Sequence, residues 1–157
     1  MNHLLRSAFI ACLLFFFASL QLRSQCSVSH IVESNKVKIT PPYLYDGFVI
    51  SQFTMDDKSK TLKTEFIALK GQEYRLYFCT SDFTDTLNIA VYDTKKAEKG
   101  ERENILNVPT KKGEPVIFDV MKKSTYTIEY SIPPCENGEY GMTKNECVIV
   151  LISYRDK

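Results

Sequence analysis

The stretch "ECVIVLISY" constrains the fold more than any other feature of this chain. Val148 to Ile152 is continuously apolar and mostly β-branched. A strand with one wet face alternates apolar and polar residues, whereas an unbroken β-branched run reads as a strand covered on both faces. It is expected at the centre of a sheet, because at an edge such an uncharged run would invite pairing with other chains.

The strands that would surround it alternate with period two. In "QEYRLYFC", Tyr74, Leu76 and Phe78 share one face while Arg75, Tyr77 and Cys79 share the other, and Gly71 supplies the preceding turn. "TLNIAVYD" sets Leu87, Ile89 and Val91 against Asn88, Ala90 and Tyr92, and "STYTIEYSI" sets Tyr126, Ile128, Tyr130 and Ile132 against Thr125, Thr127, Glu129 and Ser131. "EPVIFDV" offers Val116, Phe118 and Val120 to one side. "FVISQFT" and "LKTEFIAL" are strand-like without a clear inward face, and "SVSHIVESNKVKITPP" opens either a short helix or an edge strand that Pro41 and Pro42 terminate. The stretches "MDDKSK", "KKG" and "PPCENGEYG" read as turns, and "TKKAEKGEREN", with seven charges in eleven residues, reads as a solvated loop. About seven short strands separated by turn signals predict an all-β, antiparallel β-sandwich of jelly-roll type in a single domain.

The N-terminus has a different character. A short basic region ending at Arg6 precedes the apolar run Ala8 to Leu20, which stops at Gln21, Arg23 and Ser24. That is shorter than the ~20 residues needed to span a bilayer and fits an export signal. Residues 1–24 are therefore expected to be a signal peptide and 25–157 the mature domain, secreted or periplasmic or held at the cell surface, with no transmembrane segment after cleavage. Loss of the leader removes Arg6 and Arg23, turning 20 basic and 19 acidic residues into a near-neutral mature chain. With no clustered basic surface, a nucleic-acid partner is excluded. The exported cysteines Cys26, Cys79, Cys135 and Cys147 are expected to form two disulfides. Three pairings are open; the preferred one joins Cys135 to Cys147, a loop worth about 3 kcal/mol in the chain-entropy picture, and leaves Cys26 for Cys79.

At "YDGFVISQF", "KGQEYRLYF", "TDTLNIAVYD" and "STYTIEY" the chain resembles the small β-sandwich modules called pre-peptidase C-terminal domains, with their Gly-Gln-x-Tyr turn into a strand followed by an Asp-led and a Tyr-centred strand. It is also similar to a group of uncharacterised exported bacterial proteins. The resemblance implies a β-sandwich without catalytic residues of its own, since such modules usually accompany secreted enzymes.

The residues themselves offer little chemistry. A Ser-His-acid site needs a histidine base, and His30 is the only histidine after export. Zinc would need paired Cys-x-x-Cys spacing, which is absent. In "SDFTDTLN", Asp82 and Asp85 are calcium-ligand candidates, against the favoured reading that they form Asx turns entering a strand. The chain holds nine tyrosines and no tryptophan, and Tyr77 and Tyr92 fall opposite the inferred core. Together with Asp82 and Asp85 they form the expected interaction surface, the alternative being rim tyrosines of a two-layer sandwich. The expected protein is a non-catalytic binding module of the bacterial cell envelope, without a cofactor, whose partner is another envelope protein or a glycan. The rival readings are a small secreted hydrolase using loop carboxylates and a calcium-stabilised adhesive module. Ile149→Lys is expected to abolish folding or soluble export; a soluble variant melting like wild type would show that the run is not buried.

Overall fold

The computed structural model describes residues 26–80, 86–94, 103–110, 114–134 and 144–157. The expected signal peptide, the 81–85 loop with Asp82 and Asp85, and the loop carrying Cys135 lie outside the described residues.

Among the described residues one helix, α1 (Val28–Lys36), is followed by eight strands: β1 (Leu44–Met55), β2 (Lys60–Ile67), β3 (Gln72–Cys79), β4 (Asn88–Asp93), β5 (Glu103–Pro109), β6 (Val116–Val120), β7 (Thr125–Ile132) and β8 (Lys144–Asp156). They form two four-stranded sheets, ordered β1-β8-β3-β6 and β2-β7-β4-β5. The first half of the chain pairs antiparallel with the second in nested fashion, β4 with β5, β3 with β6, β2 with β7 and β1 with β8. The chain is thus one long hairpin rolled up, and the β3–β8 and β4–β7 pairings close the roll. This is the all-β jelly-roll sandwich that alternation predicts.

The alternation sets the layers. Tyr74, Leu76, Phe78, Val120, Val148 and Val150 from the first sheet meet Ile89, Val91, Tyr126, Ile128, Tyr130 and Ile132 from the second, and Leu87 just before β4, in one buried cluster. Among the described residues edge-to-face aromatic pairs bridge the sheets: Phe66–Tyr74 at 5.2 Å, Phe118–Tyr126 at 6.3 Å and Phe78–Tyr130 at 6.5 Å between centroids. Each large side chain buried here contributes about 1.5–3 kcal/mol. Gly71 takes φ +89° in the turn before β3, a conformation open to glycine.

Strand β8 is central, hydrogen-bonded to β1 on one side and β3 on the other. Its inner face joins the interlayer core, while Cys147, Ile149 and Leu151 on its outer face form a second cluster with Tyr77, Cys79, Ile31 and Val32. Helix α1 supplies that cover. Val28, Ile31, Val32 and Asn35 recur at helical spacing, and Ile31, Val32 and Asn35 are buried. The β-branched valines and isoleucine lower its intrinsic propensity, so packing on β8 holds it helical. Asn35 is satisfied locally, donating from Nδ2 to the Ile31 carbonyl at 2.9 Å and accepting from Lys38 Nζ at 2.8 Å.

The disulfide joins Cys26 to Cys147, with Cα atoms 6.1 Å apart across 121 residues of sequence. This corrects the expected pairing: Cys26 does not bond Cys79, nor Cys147 Cys135, because the fold sets the N-terminus of α1 against the start of β8. Cys79 is a buried thiol. Closing so long a loop is worth about 4–5 kcal/mol in the chain-entropy picture.

Strand β5 escapes the alternation pattern, because Glu103 and Asn104 continue the charged stretch that precedes it; Leu106 and Val108 face Val91 and Ile89 in its register. Phe78→Ala, in the interlayer core, is expected to cost about 3–5 kcal/mol in denaturant unfolding, whereas Ile117→Ala at a half-exposed edge position changes stability by less than about 1 kcal/mol. Equal effects would contradict the layer assignment.

Candidate functional site

Of the expected surface, Tyr77 is 4% exposed beneath α1. It is therefore not a contact residue: the face opposite the core is covered by a helix that alternation within the strand does not reveal. Tyr92 is half-buried on the outer face of the other sheet, beside Asn104 and Thr127. Tyr77 and Tyr92 lie on opposite sides of the sandwich and form no common surface.

Beyond the helix, the outer face of the first sheet carries a closed set of ion pairs. Arg75 donates from Nε and Nη2 to the two Asp119 oxygens at 2.6 and 2.8 Å, and Arg155 donates from Nε to Glu73 at 2.7 Å. Both guanidinium groups stack on Tyr43, at 4.4 and 5.1 Å from its ring centroid. The Arg75 hydrogen bonds hold the Asp119 carboxyl below its usual range, against the opposing effect of burial. These charges satisfy one another and leave Tyr43 buried.

Among the described residues, three clefts that border the sandwich bear on function. The largest, about 520 Å3, is lined by Cys26, Val28, Gln52, Phe53, Thr54, Asn145 and Glu146, with one carboxylate. A second, about 180 Å3, lies under the C-terminal end of α1 between Asn35, Lys38, Cys79 and Glu114. The third, about 170 Å3, opens between β5 and β6 and gathers Asp93, Glu103 and Asp119. There Asp119 is committed to Arg75 and Asp93 accepts from Ser124 Oγ. A general acid needs its pKa raised, and that of Asp119 moves down. Among the described residues no three His, Cys, Asp or Glu side chains gather as metal ligands, and no helix is long and apolar enough to cross a membrane. His30 is exposed on α1.

The feature that sequence reasoning missed is the edge of β1. Two stacked four-stranded sheets have four edges, and exposed strand edges recruit further strands unless blunted by charge, proline or shortness. Strand β2 carries Lys60, Lys63 and Glu65; β5 carries Glu103 and ends in Pro109; β6 is 5 residues long and holds Asp119. Strand β1 is 12 residues long, and its one charge, Asp46, sits at the irregularity between Tyr45 and Gly47. Among the described residues its ladder partner is β8 alone. On its outer face Phe48 and Ile50 lie beside buried Leu151 and Ile149, yet remain 43% and 36% exposed. Lys36 stacks on Tyr45 at 4.7 Å, fixing α1 alongside this strip. Toward the far end, Lys60 Nζ donates to the Thr54 carbonyl at 2.8 Å, and Ser51 and Thr64 hydroxyls meet at 3.2 Å.

No protein-family model matches the chain, and no characterised protein matches it in sequence. Among solved structures, one described by the words "Bacillus endospore appendages form a novel family of disulfide-linked pili" aligns with 73% of this chain and 89% of its own, at 13% identity and a TM-score of 0.38. Likeness at that level transfers nothing to this chain.

The Cys79 thiol is pushed up to about 11 by burial, with Lys38 pulling weakly the other way. The unfolded thiol loses its proton near 9 while the folded one keeps it to about 11, so stability from this group is present below pH 9 and falls between pH 9 and about 11. Near neutral pH, iodoacetamide is expected to label the Cys79 peptide after unfolding and not before; fast labelling of the native protein would contradict its burial.

Proposed function

We propose that the protein is an exported, non-catalytic interaction module of the cell envelope, and that its contact surface is the β1 edge with Phe48 and Ile50, which accepts a strand from another chain. The observation that carries this is the contrast between β1 and the three guarded edges. An added strand gains main-chain hydrogen bonds along β1 and covers the apolar pair on its outer face. The Cys26–Cys147 bridge supports a compartment outside the reducing cytoplasm. The resemblance to pre-peptidase modules supports a role without catalysis, as does the engagement of Asp119 and Asp93 in the cleft between β5 and β6. A saccharide is the second reading, favoured by the amide-lined 520 Å3 cleft with Gln52 and Asn145.

A photo-reactive residue placed at position 48 is expected to crosslink another polypeptide in the native envelope, and the same residue at position 92 is not. Adducts from position 92 with none from position 48, or none from either, would overturn the β1 surface.

A further inference from the structure

We infer that the chain occupying the β1 edge is a second copy of this protein, paired β1 to β1 in antiparallel fashion about a twofold axis through Val49. This rests on the strand-addition reading above and names its partner. A twofold contact uses the same patch on both subunits, so the strand must be complementary to itself.

The register about Val49 meets that condition. It sets Phe48 opposite Ile50 of the second copy, twice, so that the exposed pair on the outer face becomes two aromatic–aliphatic cross-strand contacts. These continue the rows begun by Leu151 and Ile149 on β8. On the inner face Val49 meets itself, flanked by Gly47 opposite Ser51, side chains small enough for the two sandwiches to abut.

Asp46, the strand's one charge, comes opposite Gln52, whose amide donates hydrogen bonds to a carboxylate. Neighbouring registers fail. An axis through Asp46 opposes two carboxylates, one through Phe48 sets Asp46 against Ile50, and one through Ile50 sets Phe48 against Gln52. With 20 basic and 19 acidic residues in the whole chain, no net repulsion separates the copies. The pairing joins two four-stranded sheets into one of eight and removes from water an edge that, among the described residues, has no second ladder partner.

The test is a charge exchange across the axis, read as molar mass by sedimentation equilibrium. Wild type is expected to be a dimer. Phe48→Glu and Ile50→Lys are each expected to halve the mass while keeping the wild-type circular-dichroism spectrum and melting within a few degrees of it. An equimolar mixture is expected to recover the dimer, because Glu at 48 of one copy then faces Lys at 50 of the other while Ile50 still faces Phe48. A wild-type protein that stays monomeric at high concentration, a dimer indifferent to both substitutions, or a mixture that fails to re-associate would overturn the self-pairing. Crosslinks from position 48 to a different protein, with monomeric wild type, would leave the β1 surface standing and remove the second copy from it.

Discussion

Strand β8 is the element on which the rest of the structure depends, because it must be shielded on both faces and bonded along both edges. Its inner residues Val148 and Val150 close the interlayer core, and its outer residues Ile149 and Leu151 need a separate cover. A four-stranded sheet facing a second sheet provides the first and leaves the second open. Helix α1 fills that need, and its weak intrinsic propensity makes the dependence mutual: the helix persists by burying Ile31 and Val32, and β8 stays dry through the helix. The Cys26–Cys147 bridge fixes this arrangement covalently at the point where the helix begins and β8 leaves its loop.

The same topology creates the proposed contact surface. A rolled hairpin brings the first and last strands together, so β1 lies at the rim with β8 inside it. Helix α1 covers β8 and reaches β3, and its flank stops short of Phe48 and Ile50. The other rims carry charge, proline or few residues, as rims of soluble sandwiches do. A long, nearly uncharged edge next to a helix-covered strand is therefore a departure from the rule followed elsewhere among the described residues, and this departure is the ground of the proposed contact.

Much of the fold was legible in the residues. The inward faces of β3, β4, β6 and β7 followed from alternation, and the central place of β8 from its unbroken apolar run. Where the reading failed, a long-range effect had replaced a local one. Strand β5 was hidden because the charges of the preceding loop run into its first residues, leaving Leu106 and Val108 as a two-residue signal. Cysteine spacing leaves three pairings open, and the one that forms, Cys26 to Cys147, follows from the roll, which joins distant segments. From the sequence Tyr77 reads as a surface residue, because the polar side of β3 looks wet until helix α1, from far earlier in the chain, is laid across it. In β1 both parities carry apolar side chains, Phe48 and Ile50 on one and Val49 and Phe53 on the other. Its status as an open edge exists only in the assembled sheet, so the candidate site could not be found from the strand alone.

Native-state hydrogen exchange tests the central claim most directly. If β8 is bonded on both sides and dry on both faces, the amides of Val148 to Leu151 exchange only through global unfolding, with an exchange free energy equal to that from denaturant melting. Exchange of those amides at the rate of the β5 or β6 rim, with the protein still folded, would contradict it.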